Sequence, residues 1–182
     1  RERAFAMQEA CELSHGTMAA ILGLDDKKIE LVCKNTPGIV VTANYNCPGQ
    51  LVISGEKKSI EKACENSVKV GAKRALILPV GGAFHSPLME PAKKRLSKVI
   101  KTMNFSQPDC PVYQNINGKG TNDPELIKKN LVAQLTSPVL WTQTIQKMIF
   151  DGAKEFTEVG PGKVLQGLVK KIDRSVEVLS GI

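Results

Sequence analysis

The chain has 182 residues, 42% of them apolar and only 4% aromatic, and its 25 Lys and Arg against 18 Asp and Glu give a net charge of +7. This is an ordinary globular composition with an aliphatic core, and no apolar run approaches the length of a membrane span. Five cysteines with no CxxC pair argue against a zinc site and a disulfide framework, and suit a reducing compartment such as the cytoplasm, or a plastid or mitochondrial matrix.

Residues 1–14 have helical periodicity, with Phe5, Met7, Ala10, Cys11 and Leu13 on one broad apolar face. Arg1–Met7 lacks the apolar run of a signal peptide and no cap precedes it, so it reads as the middle of a helix in a longer protein. His15-Gly16 ends the helix, with Gly16 at the left-handed position and His15 supporting the helix end electrostatically. Thr17–Leu22 predicts a buried strand. Asp25 or Asp26 caps a helix to about Lys34, Pro37-Gly38 turns, and the β-branched run Ile39–Tyr45 is a second strand. After the turn Asn46–Gly49, Gln50–Ser54 predicts a strand, Glu56–Val70 a helix and Ala72–Leu78 a fourth strand. The order β-α-β-β-α-β is the split βαβ of ferredoxin-like folds.

Pro79–Phe84 is a Gly-rich loop, and Ser86-Pro87 opens a helix to about Thr102 with Ser86 as cap. Pro111–Asn115 predicts a short strand and Asn117-Gly118 a turn. Helices are expected from Asp123-Pro124 to about Leu135 and over Val139–Phe150, and Pro138 separates them. Glu155–Val159 is a strand that enters Gly160-Pro161-Gly162 and then a helix from Lys163 to about Ile172. Strands alternating with helices imply a parallel sheet. Two or three are too few to complete one, and the missing strands are expected upstream of Arg1. The division is a ferredoxin-like subdomain over 16–78 set into an α/β domain made of 1–15 and 79–182.

The chemistry-bearing residues are few. His85 lies in a loop between a strand and a helix start, where α/β proteins place active sites, and a histidine there can act as a general base. On the residues alone a lone loop histidine is more often a packing or surface residue than a functional one. No serine occupies a G-x-S-x-G elbow, so the chain has a candidate base without a convincing nucleophile. Cys47 sits in a turn with nothing beside it to activate a thiol. Gly160-Pro161-Gly162-Lys163 has the geometry of an anion site but is not a Walker A loop, and a tight strand-to-helix turn is the preferred reading. The lysines are scattered over helices, without an aromatic platform or arginine stripe, which argues against nucleic acid as a partner.

Seven stretches, in order, resemble the malonyl-CoA:acyl-carrier-protein transacylase family. They are Arg3-x-x-x-Met7-Gln8-Glu9-Ala10, Gly16–Leu24, Asn44–Gly55, Gly71–Leu76, Ala83-Phe84-His85-Ser86-Pro87-Leu88-Met89, Gln134-Leu135-x-x-Pro138-Val139-x-Trp141 and Glu158–Leu165. They cover nearly the whole chain, to about Ile172. The resemblance implies an α/β-hydrolase-like parallel-sheet domain, incomplete here, with an inserted ferredoxin-like βαββαβ subdomain. It implies an acyltransferase of fatty-acid biosynthesis that moves a malonyl group from malonyl-CoA to the phosphopantetheine thiol of acyl carrier protein through a seryl ester. Coenzyme A thioester and acyl carrier protein are then the partners, with no cofactor, metal, nucleic acid or membrane.

By the same resemblance His85 is the catalytic histidine and Arg3 binds the malonyl carboxylate. Phe84 and Met7 shape the substrate pocket, Phe84 marking malonyl over methylmalonyl, and the backbone carbonyl of Gln134 orients the histidine. The family's serine elbow and oxyanion-hole glutamine loop both precede the position of Arg3. Neither is in this chain, so the N-terminal half of the same protein is a further expected partner. The alternatives are a non-catalytic module that binds carrier protein and an acyltransferase domain of a polyketide synthase.

Overall fold

The structure, a computed structural model, describes residues 1–181. Helix α1 (Glu2–Leu13) buries only part of the face its periodicity suggested: Ala10 is buried, with Ala6, and Met7 and Cys11 pack beside them, while Phe5 and Leu13 are exposed. Nor does it end through Gly16. Ser14 caps it in an extended conformation, donating Oγ to the Ala10 carbonyl at 2.9 Å, and Gly16 is the first residue of β1 (Gly16–Leu22). Contact rather than a left-handed turn demands glycine here, because a Cβ would lie 2.4 Å from that of Ala83.

Helix α2 (Asp26–Asn35) starts at Asp25, whose carboxylate accepts the Lys27 N–H at 3.0 Å. Then come β2 (Val40–Cys47), β3 (Gln50–Glu56), α3 (Lys57–Lys69) and β4 (Arg74–Ile77). His15 lies beyond α1 and gives its backbone carbonyl to the Lys57 N–H at the start of α3. The four strands form one sheet in the order β2-β3-β1-β4, antiparallel at every pairing. β1 is central and covered on both faces, which is why Thr17–Leu22 is apolar without alternation. Ala19, Ile21, Leu51 and Ile53 face α2 and α3 through Ile29, Val32, Ile60 and Ala63. Each fully buried isoleucine contributes about 1.5–3 kcal/mol. Met18, Ala20 and Val52 face the other way, with Ala43, and meet Leu78, Val80 and Phe84 from the loop after β4.

The edge strand β2 is irregular. Its pairing with β3 passes from Thr42↔Ile53 to Asn44↔Val52, skipping Ala43, and from Tyr45↔Leu51 to Cys47↔Gln50, skipping Asn46. These are bulges, each of which bends the strand and strengthens its twist.

Beyond the loop, a 3-10 turn at Pro87–Met89 leads into α4 (Glu90–Thr102). α4 packs on α1 through Ala6, Ala10, Met89, Ala92 and Leu96. The strand expected over 111–115 is only β5 (Val112–Tyr113), paired with β6 (Gly120–Thr121) across the Asn117-Gly118 turn. Helix α5 (Pro124–Ala133) is capped by Asp123 and runs into a 3-10 turn at Gln134–Thr136. Helix α6 (Trp141–Phe150) begins two residues later than its periodicity suggested. The displaced residue, Val139, is engaged with β2: its N–H donates to Ala43 O at 2.7 Å and its carbonyl accepts Tyr45 N–H at 2.9 Å.

The chain closes with β7 (Glu155–Val159), α7 (Val164–Ile172) and β8 (Glu177–Gly181), the last parallel to β7 and not foreseen from the sequence. Val176 and Val178 join Ile145 and Val169 in a separate cluster beneath this pair. The architecture is mixed α/β, and no helix among the described residues is long and apolar enough to cross a membrane.

Candidate active site

The loop after β4 is pressed between two neighbours. Ala83 abuts Gly16, and Gly82 lies so close to α1 that a Cβ there would sit 2.2 Å from Cys11 Sγ. Ser86, fully buried, fixes the end of the loop: its Oγ donates to Ala83 O at 2.6 Å and accepts Leu88 N–H at 3.2 Å. Between these anchors His85 takes φ +58°, the only positive φ at a non-glycine position among the described residues. Such a conformation is uncommon for a side chain of this size and is held only where the surroundings impose it.

The strained backbone delivers the imidazole to two carbonyls. His85 Nδ1 lies 2.9 Å from Gln134 O and 3.2 Å from Ser137 O. A carbonyl only accepts, so Nδ1 carries the proton and the neutral ring leaves Nε2 with its lone pair. Burial is the largest influence on the ring and lowers its pKa below the ordinary histidine value. The Gln134 hydrogen bond opposes this, the positive charge of Arg3 adds to the lowering, and the Ser137 hydrogen bond again opposes. The result is an imidazole that is neutral and basic at Nε2 around neutral pH.

His85 opens on a pocket of about 340 Å³ that Met7, Phe84, Met18 and Val52 line with apolar surface, and Asn44 and Asn46 with amides. Met7 comes from α1. Arg3 is one turn earlier on that helix, exposed, and unpaired with any carboxylate among the described residues. The structure thus gathers His85, Phe84 and Met7 around one pocket, with the Gln134 carbonyl holding His85 and the Arg3 charge acting on the same histidine. Gln134 takes part through its backbone; its side chain donates to Leu131 O at 3.3 Å instead.

Two groups of site residues were missed in the sequence. Asn44 was read as strand and Asn46 as the start of a turn, whereas both lie in β2, and their facing depends on bulges that no local residue pattern announces. Ser137 contributes a backbone carbonyl, which leaves no trace in side-chain chemistry.

Among the described residues, no attacking group faces the pocket. Ser86 Oγ is committed to backbone partners, and burial raises the thiol pKa of both Cys11 and Cys47. The Gly160–Gly162 loop is not an anion site either. The Glu158 carboxylate already accepts the Leu165 and Gln166 N–H groups at 3.2 and 3.1 Å, filling the N-terminus of α7. Among the described residues, no group of three or more His, Cys, Asp or Glu could hold a metal ion.

A family model described as an acyl transferase domain matches residues 3–180. A protein of Staphylococcus aureus named malonyl CoA-acyl carrier protein transacylase is 43% identical over 183 residues, covering 99% of this chain and 59% of that protein. Among solved structures, an acyl carrier protein S-malonyltransferase from Vibrio cholerae superposes with a TM-score of 0.95 at 40% identity, covering 99% of this chain and 60% of its own. A malonyl-transacylase solved in complex with a type II PKS acyl-carrier protein superposes with a TM-score of 0.94 at 39% identity, covering 98% and 59%. The chain therefore spans about three-fifths of the length of the relatives it matches.

Proposed function

The chain belongs to the acyl transferase domain family, and on that premise we propose that it carries the base and the carboxylate clamp of a malonyl-CoA:acyl-carrier-protein transacylase serving fatty-acid synthesis. The observation that carries this reading is the fixed tautomer of His85, with Nδ1–H held by two carbonyls and Nε2 free beside a pocket. The attacking serine is not among residues 1–182. In this reading it is supplied by polypeptide outside them.

The serine hydroxyl gives its proton to His85 Nε2 as its oxygen attacks the malonyl thioester carbon. The tetrahedral adduct collapses, the C–S bond breaks, and coenzyme A leaves as a thiol with the proton from Nε2. The phosphopantetheine thiol of the carrier protein then gives its proton to Nε2 and attacks the seryl ester. The C–O bond breaks and the serine oxygen recovers the proton. Arg3 grips the malonyl carboxylate; an acyl chain without one leaves the guanidinium unpaired. Phe84 fills the space that an α-methyl branch would need, and Met7 completes the apolar wall. The net charge of +7 favours approach of a phosphate-bearing thioester and an acidic carrier protein. Five free cysteines fit a reducing compartment.

The test is intact mass spectrometry after exposure to malonyl-CoA. The protein measured is this chain joined to the segment of the Staphylococcus aureus relative that it does not span. A malonyl ester that forms on the joined protein, is discharged by holo carrier protein and fails to form with His85→Ala supports the reading. A malonyl adduct on the 182 residues alone, or full transfer with His85→Ala, overturns it.

A further inference from the structure

The two carbonyls that hold His85 belong to a short segment between α5 and α6, and that segment is braced at both ends by consecutive residues of one distant strand region. At the α5 end, the Gln134 N–H donates to the Asn130 carbonyl. The Asn130 side chain is buried and donates Nδ2–H to Gln114 Oε1 at 2.9 Å, while Gln114 Nε2–H donates to Ile127 O at 3.1 Å. At the α6 end, Leu140 N–H donates to Asn115 O at 2.8 Å. Between them Leu135 is sunk into the cluster formed by α1 and α4. Neither Gln114 nor Asn130 lines the pocket beside His85.

A buried amide on α5 is a costly choice where an aliphatic residue would pack, unless its hydrogen bond fixes something. We propose that Asn130 and Gln114 are positioning residues that hold the Gln134 and Ser137 carbonyls where they keep His85 in the Nδ1–H form. The proposal rests on the reading of His85 as a base. The Asn130–Gln114 pair fastens the last turn of α5 to the β5–β6 region, which sets where the 3-10 turn places the Gln134 carbonyl. Loosening it frees both acceptors together. The neutral ring then loses the partner that fixes its tautomer, and the Nε2–H form, favoured by an unconstrained imidazole, becomes populated. An Nε2–H ring cannot accept a proton at the atom that faces the pocket.

The experiment is long-range 1H–15N NMR of the imidazole rings. The chain has only two histidines, and a His15→Gln variant assigns the other signal to His85. The wild type is expected to show His85 as Nδ1–H, and Asn130→Leu and Gln114→Leu to show a mixture containing Nε2–H while the amide spectrum stays folded. If Asn130→Leu fails to fold, Gln114→Leu, whose side chain is only partly buried, decides. Nδ1–H unchanged in a folded variant overturns the positioning role and leaves His85 as the base. Nε2–H in the wild type overturns the base reading itself, and the positioning role with it.

Discussion

His85 and Gln134 are 49 residues apart in the chain, yet imidazole Nδ1 lies 2.9 Å from the Gln134 carbonyl oxygen. The contact places the proton on one ring nitrogen and the reactive lone pair on the other. Burial, the largest influence, lowers the pKa from its ordinary value of 6.5. In the proposed role the neutral ring acts as the base, so a lowered pKa keeps it competent into mildly acid solution. For the joined protein, the acid limb of kcat/KM for malonyl transfer is expected to have its midpoint below 6.5. The same shift links to stability. Protonation is resisted in the folded state, so the contribution of His85 is complete above the ordinary value and is lost as pH falls through the lowered one. A pH–rate profile with an acid midpoint at or above 6.5 contradicts this.

Arg3 is expected to discriminate by charge. Hydrogen bonds to charged groups contribute about 1.5–3 kcal/mol, so Arg3→Ala should lower kcat/KM for malonyl-CoA by roughly 10- to 100-fold. The rate with acetyl-CoA should stay level or rise. Arg3→Lys keeps the charge but not the fork, and is expected to fall between. Competition between the two thioesters measures the ratio, and an equal loss for both would show that Arg3 does not read the carboxylate.

Phe84 is half-buried, packs against both the α1–α4 cluster and the sheet face, and lines the pocket. Phe84→Ser should open space for one methyl group. A single methylene in an apolar pocket is worth about 1–3 kcal/mol, so the preference for malonyl over methylmalonyl should shrink by roughly 10- to 200-fold. Paired kcat/KM values for the two thioesters check it; an unchanged preference would place the selecting contact elsewhere.

Glu158 closes the N-terminus of α7 with its own carboxylate. Removing such a cap costs about 0.5–2 kcal/mol. Glu158→Ala should therefore lower the unfolding free energy by an amount of that size, read as a lower urea midpoint, whereas Glu158→Gln should recover most of it. Urea unfolding of the three proteins is the measurement. Identical midpoints would mean that water replaces the cap without loss.

The elements were legible where local chemistry determined them. Asp25 and Asp123 cap the helices their positions announced, Ser86-Pro87 starts the turn before α4, and the β-branched run near Ile39 is a strand. Misreadings followed from distant contacts. Gly16 looked like a helix terminator and is a glycine because Ala83 leaves no room. Val139 looked helical and is instead paired to β2. Phe5 and Leu13 looked like core on periodicity, but it is the alanines of α1 that meet α4. His85 was visible as a residue, while its tautomer depended on backbone carbonyls from the far half of the chain.

The bulge at Ala43 has a consequence beyond the pocket. A one-residue slip in a strand exchanges its two faces, so skipping Ala43 is what brings Asn44 opposite Val52, on the pocket side, rather than under α2 and α3. β2 is also the border of its sheet, and an even border is a template for another molecule to join. Two skipped residues break that template, and Val139 occupies part of it. A straightened β2 would lose Asn44 from the pocket and offer an adhesive rim to neighbouring molecules.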